Sequence, residues 1–280
     1  MNSIDTAPFT FDLERYLDNS KKVELSDLDF SKVRDYPVTA DEIRCLSFMM
    51  DIEFHTLNYL RALLKTCAVR DPETVAFVSC WNYEEFFHGR SIRQFLRSAG
   101  VDVPGSRILE VDRRRSWREV IEEVAASVLC HVVKDFHAVY FAWGAIQELT
   151  TTESYRLVAS RSRNPILSEL LQRMAKDERR HFSFYYNKAR PLLQHSRSAQ
   201  AMTSAVLRNF WTPVGDGVKN DADVLWTMRF VFGDGEGMNA ARRIDSVVAR
   251  LPGLSWFNLV SNHKALSDYV VVEQSVPTPC

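Results

Sequence analysis

The chain has 280 residues, 46% of them hydrophobic and 25% charged, an ordinary balance for a globular protein large enough to bury a sizeable core. A formal net charge of -1 excludes a bulk electrostatic drive toward nucleic acid. The longest apolar stretches are broken by His131, Lys134 and Asp135 before they reach the length of a bilayer, so no membrane span is expected.

The first 38 residues are mixed and polar, with a short amphipathic piece from Phe11 to Leu17, and read as an arm that packs over the rest or is partly mobile. Thr39 and Glu42 form a capping box that opens a helix running to about Lys65. Met49, Glu53, Leu57 and Leu60 share one stripe of it, which turns Glu53 into the apolar face. Asp71-Pro72 places an N-cap before a proline at the first helical position. The second helix then carries Val78, Trp81, Glu85, His88 and Ile92 on one face and stops at Gly100.

Residues 101–134 must cross over to the next long element. Pro104-Gly105 makes a loop, and Ser116 with Glu119 caps a helix through Ala125 and Val128. The third long helix is predicted from about Phe136 to Ser160, with Gly144, Glu148, Thr151 and Tyr155 on its inner face. Asn164-Pro165 starts the fourth, which turns Leu171, Met174, Glu178, His181, Phe182 and Tyr185 inward and should end near Pro191. Further helices are expected at 198–210, 220–231 and 238–250. Gly233, Gly235 and Gly237 mark a loop between the last two; this Gly-x-Gly-x-Gly follows no strand and makes a poor phosphate cradle. Tyr269 to Cys280 reads as a tail. The whole is an all-α chain, with an arm over 1–38, a bundle over 39–192, and accessory helices and tail over 193–280. No Pro/Gly/Ser-rich linker divides it, so one domain over 1–280 is expected.

Five cysteines, Cys45, Cys67, Cys80, Cys130 and Cys280, are odd in number and form no Cys-x-x-Cys, which favours free thiols in a reducing compartment. The opening residues lack a basic region followed by an apolar one, so the expected location is cytoplasmic.

The chemistry concentrates in Asp177-Glu-Arg-Arg-His181. Glu178 and His181, three apart, share one helix face, where a carboxylate and an imidazole can hold one metal ion. Glu85 and His88 repeat the spacing upstream, and Glu53 and Glu148 lie 32 and 30 positions before Glu85 and Glu178. The order Glu, Glu-x-x-His, Glu, Glu-x-x-His is the ligand pattern known from ferritin-like di-iron and di-manganese bundles. A single Glu-x-x-His is usually a solvated helix face. Four glutamates and two histidines on the apolar stripes of four helices are another matter, because burying each carboxylate without a cation costs on the order of several kcal/mol. Oxygen and nitrogen ligands without cysteine suit iron or manganese better than structural zinc. His55, His131, His137, His195 and His263 have no ligand partner at helical spacing, and Glu153, five positions past Glu148, faces elsewhere. Arg90, Arg93, Arg97, Arg113 to Arg115 and Arg118 read as a solvated surface or, more sharply, as a docking patch for an acidic carrier.

Trp81-Asn-Tyr-Glu-Glu-Phe-Phe-His-Gly89 resembles the Trp-Thr-x-Glu-Glu-Asn-x-His-Gly stretch of soluble acyl-carrier-protein desaturases. Asp177 to His181 resembles that family's Asp-Glu-x-Arg-His, and Gln147-Glu148 with Thr151 its Gln-Glu-Arg-x-Thr; Tyr59 stands six residues past Glu53, as a tyrosine does there. The resemblance covers about residues 40 to 192. Phe86-Phe87 replaces the usual polar pair and Leu149 the usual arginine, departures that bear on substrate and outcome more than on metals. The resemblance implies a ferritin-like four-helix bundle with a long crossover and additional C-terminal helices, holding two Fe2+ ions or a manganese–iron pair. It implies that Glu85 and Glu178 bridge the metals, that Glu53 and His88 complete one site, and that Glu148 and His181 complete the other. Glu84 and Asp177 would accept hydrogen bonds from the outer ring nitrogens of His181 and His88. Thr151 would pass protons toward reduced oxygen; the plainer reading is a helix threonine bonded to a backbone carbonyl. The implied activity is O2-dependent introduction of a double bond into an acyl chain on acyl carrier protein, with a ferredoxin-like electron donor; a homodimer is the expected assembly. A hydroxylase or N-oxygenase on the same scaffold is one alternative. A non-catalytic ferritin-like iron-binding protein is another, disfavoured by the chain's length and its extra helices.

Overall fold

The computed structural model describes residues 10–113, 130 and 135–267. It is an all-α helical bundle, with no strand among the described residues. The arm forms α1 (Leu13–Asn19) and a short 3-10 turn (Phe30–Asp35), and it packs down instead of hanging free: Tyr16, Val23 and Val33 are buried. The ring of Phe11 meets those of Phe77 and Phe184.

Helix α2 (Ala40–Leu63) opens with both halves of the capping box, the Thr39 hydroxyl accepting from the Glu42 amide and the Glu42 carboxylate from the Thr39 amide. Helix α3 (Pro72–Ser98) is capped by Asp71 and ends before Gly100, whose φ of 95° lies in the left-handed region. A short helix, α4 (Arg107–Arg113), begins before the cap expected at Ser116. Arg107 sets its position, gripping the buried carboxylate of Asp51 on α2 at 2.7 and 2.5 Å, a charge that Lys219 also meets at 2.7 Å. The predicted crossover helix from Ser116 to Val128 and the tail from Tyr269 lie outside the described residues, as do Cys280, His131, Arg114, Arg115 and Arg118.

Helix α5 (Phe136–Arg161) turns back tightly into α6 (Pro165–His195). Asn164 makes the turn: its Oδ1 accepts from the amides of Ile166 and Leu167, and its Nδ2 donates to the Val33 carbonyl at 2.9 Å, tying the arm to the bundle. The α6 helix does not stop near Pro191, as its sequence suggests, but continues to His195. Proline removes one amide donor, but Ala189 and Leu193 are fully buried on either side of it, and that packing carries the last turn through. Three helices follow: α7 (Arg197–Phe210), α8 (Asp221–Phe232) and α9 (Gly235–Val248). The glycine loop is shorter than predicted. Gly235 and Gly237 sit in the first turn of α9, where the Asp234 carboxylate caps the Gly237 amide and a Cβ on Gly237 would lie 2.6 Å from the Phe232 backbone.

Helices α2 and α3 pair, α5 and α6 pair, and the two pairs enclose the core; α7 and α9 lie against α5, and α8 against α2 and α5. Each pair closes on a glycine. A Cβ on Gly89 of α3 would lie 2.7 Å from the Phe54 ring of α2, and one on Gly144 of α5 would lie 2.5 Å from the Tyr185 ring of α6. No described helix is long and apolar enough to cross a membrane, and Cys45, Cys67, Cys80 and Cys130 are free thiols.

Asn164 supplies a local test. Asn164→Ala removes the cap, worth about 1 kcal/mol, and leaves the Val33 carbonyl with only the 3.4 Å bond from the Tyr36 amide, at about 0.5–1.5 kcal/mol more. Denaturant unfolding should show a loss of about 1.5–2.5 kcal/mol, and Asn164→Ser, which keeps a capping oxygen without the amide, should lose less than Asn164→Ala.

Candidate metal centre

Four helices each deliver part of one buried cluster. Helix α2 brings Glu53; α3 brings Glu84, Glu85 and His88; α5 brings Glu148; α6 brings Asp177, Glu178 and His181. The donor atoms fall into two groups, Glu53, Glu85, His88 and Glu178, and Glu85, Glu148, Glu178 and His181, and within each all lie within 4.8 Å of one another. Glu85 and Glu178 belong to both. Their oxygens divide accordingly: Glu85 turns Oε2 toward His88 Nδ1 (3.8 Å) and Oε1 toward His181 Nδ1 (2.9 Å). Glu178 turns Oε1 toward His88 Nδ1 (2.9 Å) and Oε2 toward His181 Nδ1 (3.3 Å). Glu53 reaches only His88 (3.9 Å), and Glu148 only His181 (3.7 Å).

Both imidazoles point Nδ1 into the cluster and Nε2 out of it. His88 Nε2 lies 3.2 Å from Asp177, and His181 Nε2 lies 2.8 Å from Glu84. Arg180 joins these two carboxylates, donating to Glu84 at 2.9 Å and to Asp177 at 2.6 Å. The outer carboxylates of the cluster are held by aromatic donors: Trp81 Nε1 donates to Glu148 at 3.1 Å, and the Tyr155 hydroxyl to Glu53.

The donor set fits a pair of divalent cations. Glu85 Oε1, His88 Nδ1 and Glu178 Oε1 are buried and make no hydrogen bond, although each has an oppositely charged atom at 2.9 Å; they converge without hydrogen-bond alignment. The electrostatics agree. Burial raises the pKa of Glu53 well above the usual carboxylate range, with the charge of Glu85 adding to it. Burial likewise raises Glu148; the bond to His181 opposes the shift, and the charges of Glu178 and Glu85 add to it. Burial works against a cationic His88, but Asp177, Glu178 and Glu85 outweigh it and raise the ring's pKa; His181 is raised in the same way, by Tyr16, Glu148, Glu178 and Glu84. Burial opposes a charged Glu85, but its polar contacts with Glu53, His181 and His88 outweigh it and hold the carboxyl well below the usual range. Each of the upward shifts favours the protonated form and so offsets the buried negative charge, and cations bound by the same atoms would compete with those protons.

Thr151 is half-buried on the wall of a cavity of about 50 Å³. Glu53, Thr151 and Tyr155 line its inner side, and Met228, Val231 and Phe232 of α8 its outer side. Tyr59 is exposed and turned edge-on to His55, which bonds Asn58 outside the cluster. Glu153 pairs with Arg156 and Arg243. Sequence reasoning placed Trp81 and Tyr155 on inner faces without giving them a role. Tyr155 carries a usable signal, two helical turns past Glu148 on the same face. Tyr16 and Arg180 were missed, and Tyr16 has no local signal, being 68 positions from the carboxylate it bonds.

The chain matches the family model described as fatty acid desaturase over residues 55–213, more than half its length, and belongs to that family. The matched span holds Glu85, His88, Glu148, Glu178 and His181 and begins just after Glu53. No curated protein and no solved structure matches the chain.

Ion binding to the folded cluster should stabilise the protein. Anaerobic Fe2+ or Co2+ at about 100 times its dissociation constant should add about 2.7 kcal/mol per site, seen as a rise in melting temperature. Glu85→Ala combined with Glu178→Ala should abolish the ion-dependent rise whatever it does to the starting stability.

Proposed function

From membership of the fatty acid desaturase family we infer an O2-dependent di-iron oxidoreductase that introduces a double bond into an acyl chain carried on acyl carrier protein. The observation that carries this reading is the sharing of Glu85 and Glu178 between the His88 and His181 groups. Glu53 and His88 would complete one Fe2+ site and Glu148 and His181 the other; a manganese–iron pair suits the same donors. When bound, the metals supply the reduction of O2 to water, with two external electrons and two protons, coupled to removal of two hydrogens from adjacent substrate carbons.

The chain's own residues set the conditions. Asp177 and Glu84 fix the histidine rings with Nδ1 turned inward, and Tyr155 and Trp81 limit the swing of Glu53 and Glu148. Thr151 is the residue assigned to proton delivery, because its hydroxyl shares the cavity wall with Glu53. The apolar wall contributed by α8 keeps bulk water from the reacting carbons.

Carrier docking is supported by an open groove of about 610 Å³ between α3 and the arm. Arg90, Arg93, Arg97 and Lys22 line it, with Glu24 the one acidic side chain there among the described residues. Burial, together with the charges of Arg90 and Arg97, depresses the pKa of Arg93, the mark of a crowded positive patch. Such a patch would steer an acidic carrier with a marked dependence on salt. Arg113 follows on α4, and Arg114 and Arg115 lie outside the described residues. The proposal also includes a ferredoxin-like electron donor, one ferritin-like domain, a cytoplasmic location and a homodimer. One observation favours the alternative of hydroxylation or N-oxygenation: the 50 Å³ cavity is about a third of the volume (~150 Å³) that accommodates benzene. A long acyl chain would therefore have to displace the α8 wall.

The deciding assay gives the reduced, iron-loaded protein an acyl carrier thioester, the free acid and the coenzyme A ester, with O2 and a ferredoxin system. The carrier substrate should be preferred, and reversing Arg90, Arg93 and Arg97 to glutamate should lower its kcat/KM about 10–100-fold at low salt. Equal turnover of all three substrates would count against carrier docking, and turnover of only a small soluble amine would favour the oxygenase.

A further inference from the structure

The two histidines are held by carboxylates of unequal enclosure. Asp177, behind His88, keeps 18% of its side chain exposed, whereas Glu84, behind His181, keeps 1%. The difference comes from the N-terminal arm. Glu84 Oε2 takes His181 Nε2 at 2.8 Å and the Tyr16 hydroxyl at 2.9 Å, while Oε1 takes Arg180 at 2.9 Å and the Lys21 amide at 3.3 Å. Two of these four donors belong to residues that precede the family-matched span. The Tyr16 ring is itself buried, packed at 5.0 Å on Phe77, turned edge-on to His181 at 6.3 Å and covered by Arg180 at 5.4 Å. Among the described residues Asp177 receives no donor from the arm; its bonds come from His88 and Arg180.

We propose that Tyr16 is a positioning residue that acts through Glu84 on His181, and that the arm makes the two metal positions unequal, the His181 position releasing its ion more slowly than the His88 position. The physical reason is that a ligand imidazole leaves its metal by rotating. His181 can rotate only if Glu84 moves, and Glu84 is fixed at both oxygens by groups on a separate element. His88 is held by a carboxylate with a solvent-facing side and fewer donors. The inference rests on the metal centre proposed above.

The test loads the full chain anaerobically with Co2+, whose visible absorption reports its ligands, and follows release into excess chelator. The wild type should bind two ions and release them in two phases. Tyr16→Phe keeps the ring packed on Phe77 and deletes only the hydroxyl. It should lower the melting temperature of the untreated protein by only several degrees, speed the slow phase about 10–100-fold and shift the spectrum of the slowly released ion, with the fast phase unaltered. Glu84→Gln should do the same, and Asp177→Asn should speed the fast phase instead. A single release phase in the wild type, or an unchanged slow phase in Tyr16→Phe, overturns the inference while leaving the two-metal centre standing. A wild type that binds fewer than two ions overturns the centre and the inference together.

Discussion

Four carboxylates and two imidazoles brought together in the interior of a helical bundle, in two groups whose donor atoms lie within 4.8 Å of one another, are the constraint on which the rest of this structure depends. Left uncompensated, each buried charge would cost about several kcal/mol, a large fraction of the stability of any domain. The chain meets that cost in layers. Protons or cations neutralise the centre. Around it, Asp177, Glu84 and Arg180 form a ring of paired charges, and Tyr155 and Trp81 satisfy the carboxylate oxygens that the histidines do not reach. The aromatic packing of Phe77, Phe184 and Tyr185 fills the space between, with Phe77 edge-on to His181 itself.

The helices can be read as supports for these layers. Each ligand helix is long enough to carry its polar group in mid-span, away from the unsatisfied amides and carbonyls of its ends. The accessory elements then divide the surroundings of the centre. The arm closes the histidine side by bonding Glu84, and α8 closes the opposite side by walling the cavity at Glu53 and Thr151. Arg180 donates to both outer carboxylates and so links the two halves of the outer ring.

Much of this could be read from sequence wherever the signal is local. Thr39 with Glu42, Asp71-Pro72 and Asn164-Pro165 announce helix starts by chemistry complete within four residues, and the structure has helices starting at all three. The six clustered side chains could be read because helical periodicity puts each Glu-x-x-His pair on one face and the order of the carboxylates matches a known ligand pattern. Where tertiary packing overrides a local rule, the reading failed: Pro191 does not end its helix because Ala189 and Leu193 are buried, and Gly237 belongs to a helix because its amide has Asp234 as a cap. Where the partner is distant in the chain there was nothing to read. No pattern near Tyr16 points to Glu84, and none near Arg107 points to Asp51.

Gly89 and Gly144 give the centre a property that its ligands alone do not. Beside each of them an aromatic ring from the paired helix occupies the space of the missing Cβ, so α2 and α3, and α5 and α6, are already in van der Waals contact. The spacing within each pair is therefore set from outside the cage. An ion of larger radius cannot be accepted by spreading either pair without withdrawing Phe54 or Tyr185 from its glycine; short of parting the two pairs, it is accepted by turning carboxylates, two of which are tethered to Tyr155 and Trp81. Discrimination between ions of like charge then becomes a matter of side-chain packing as much as of coordination chemistry.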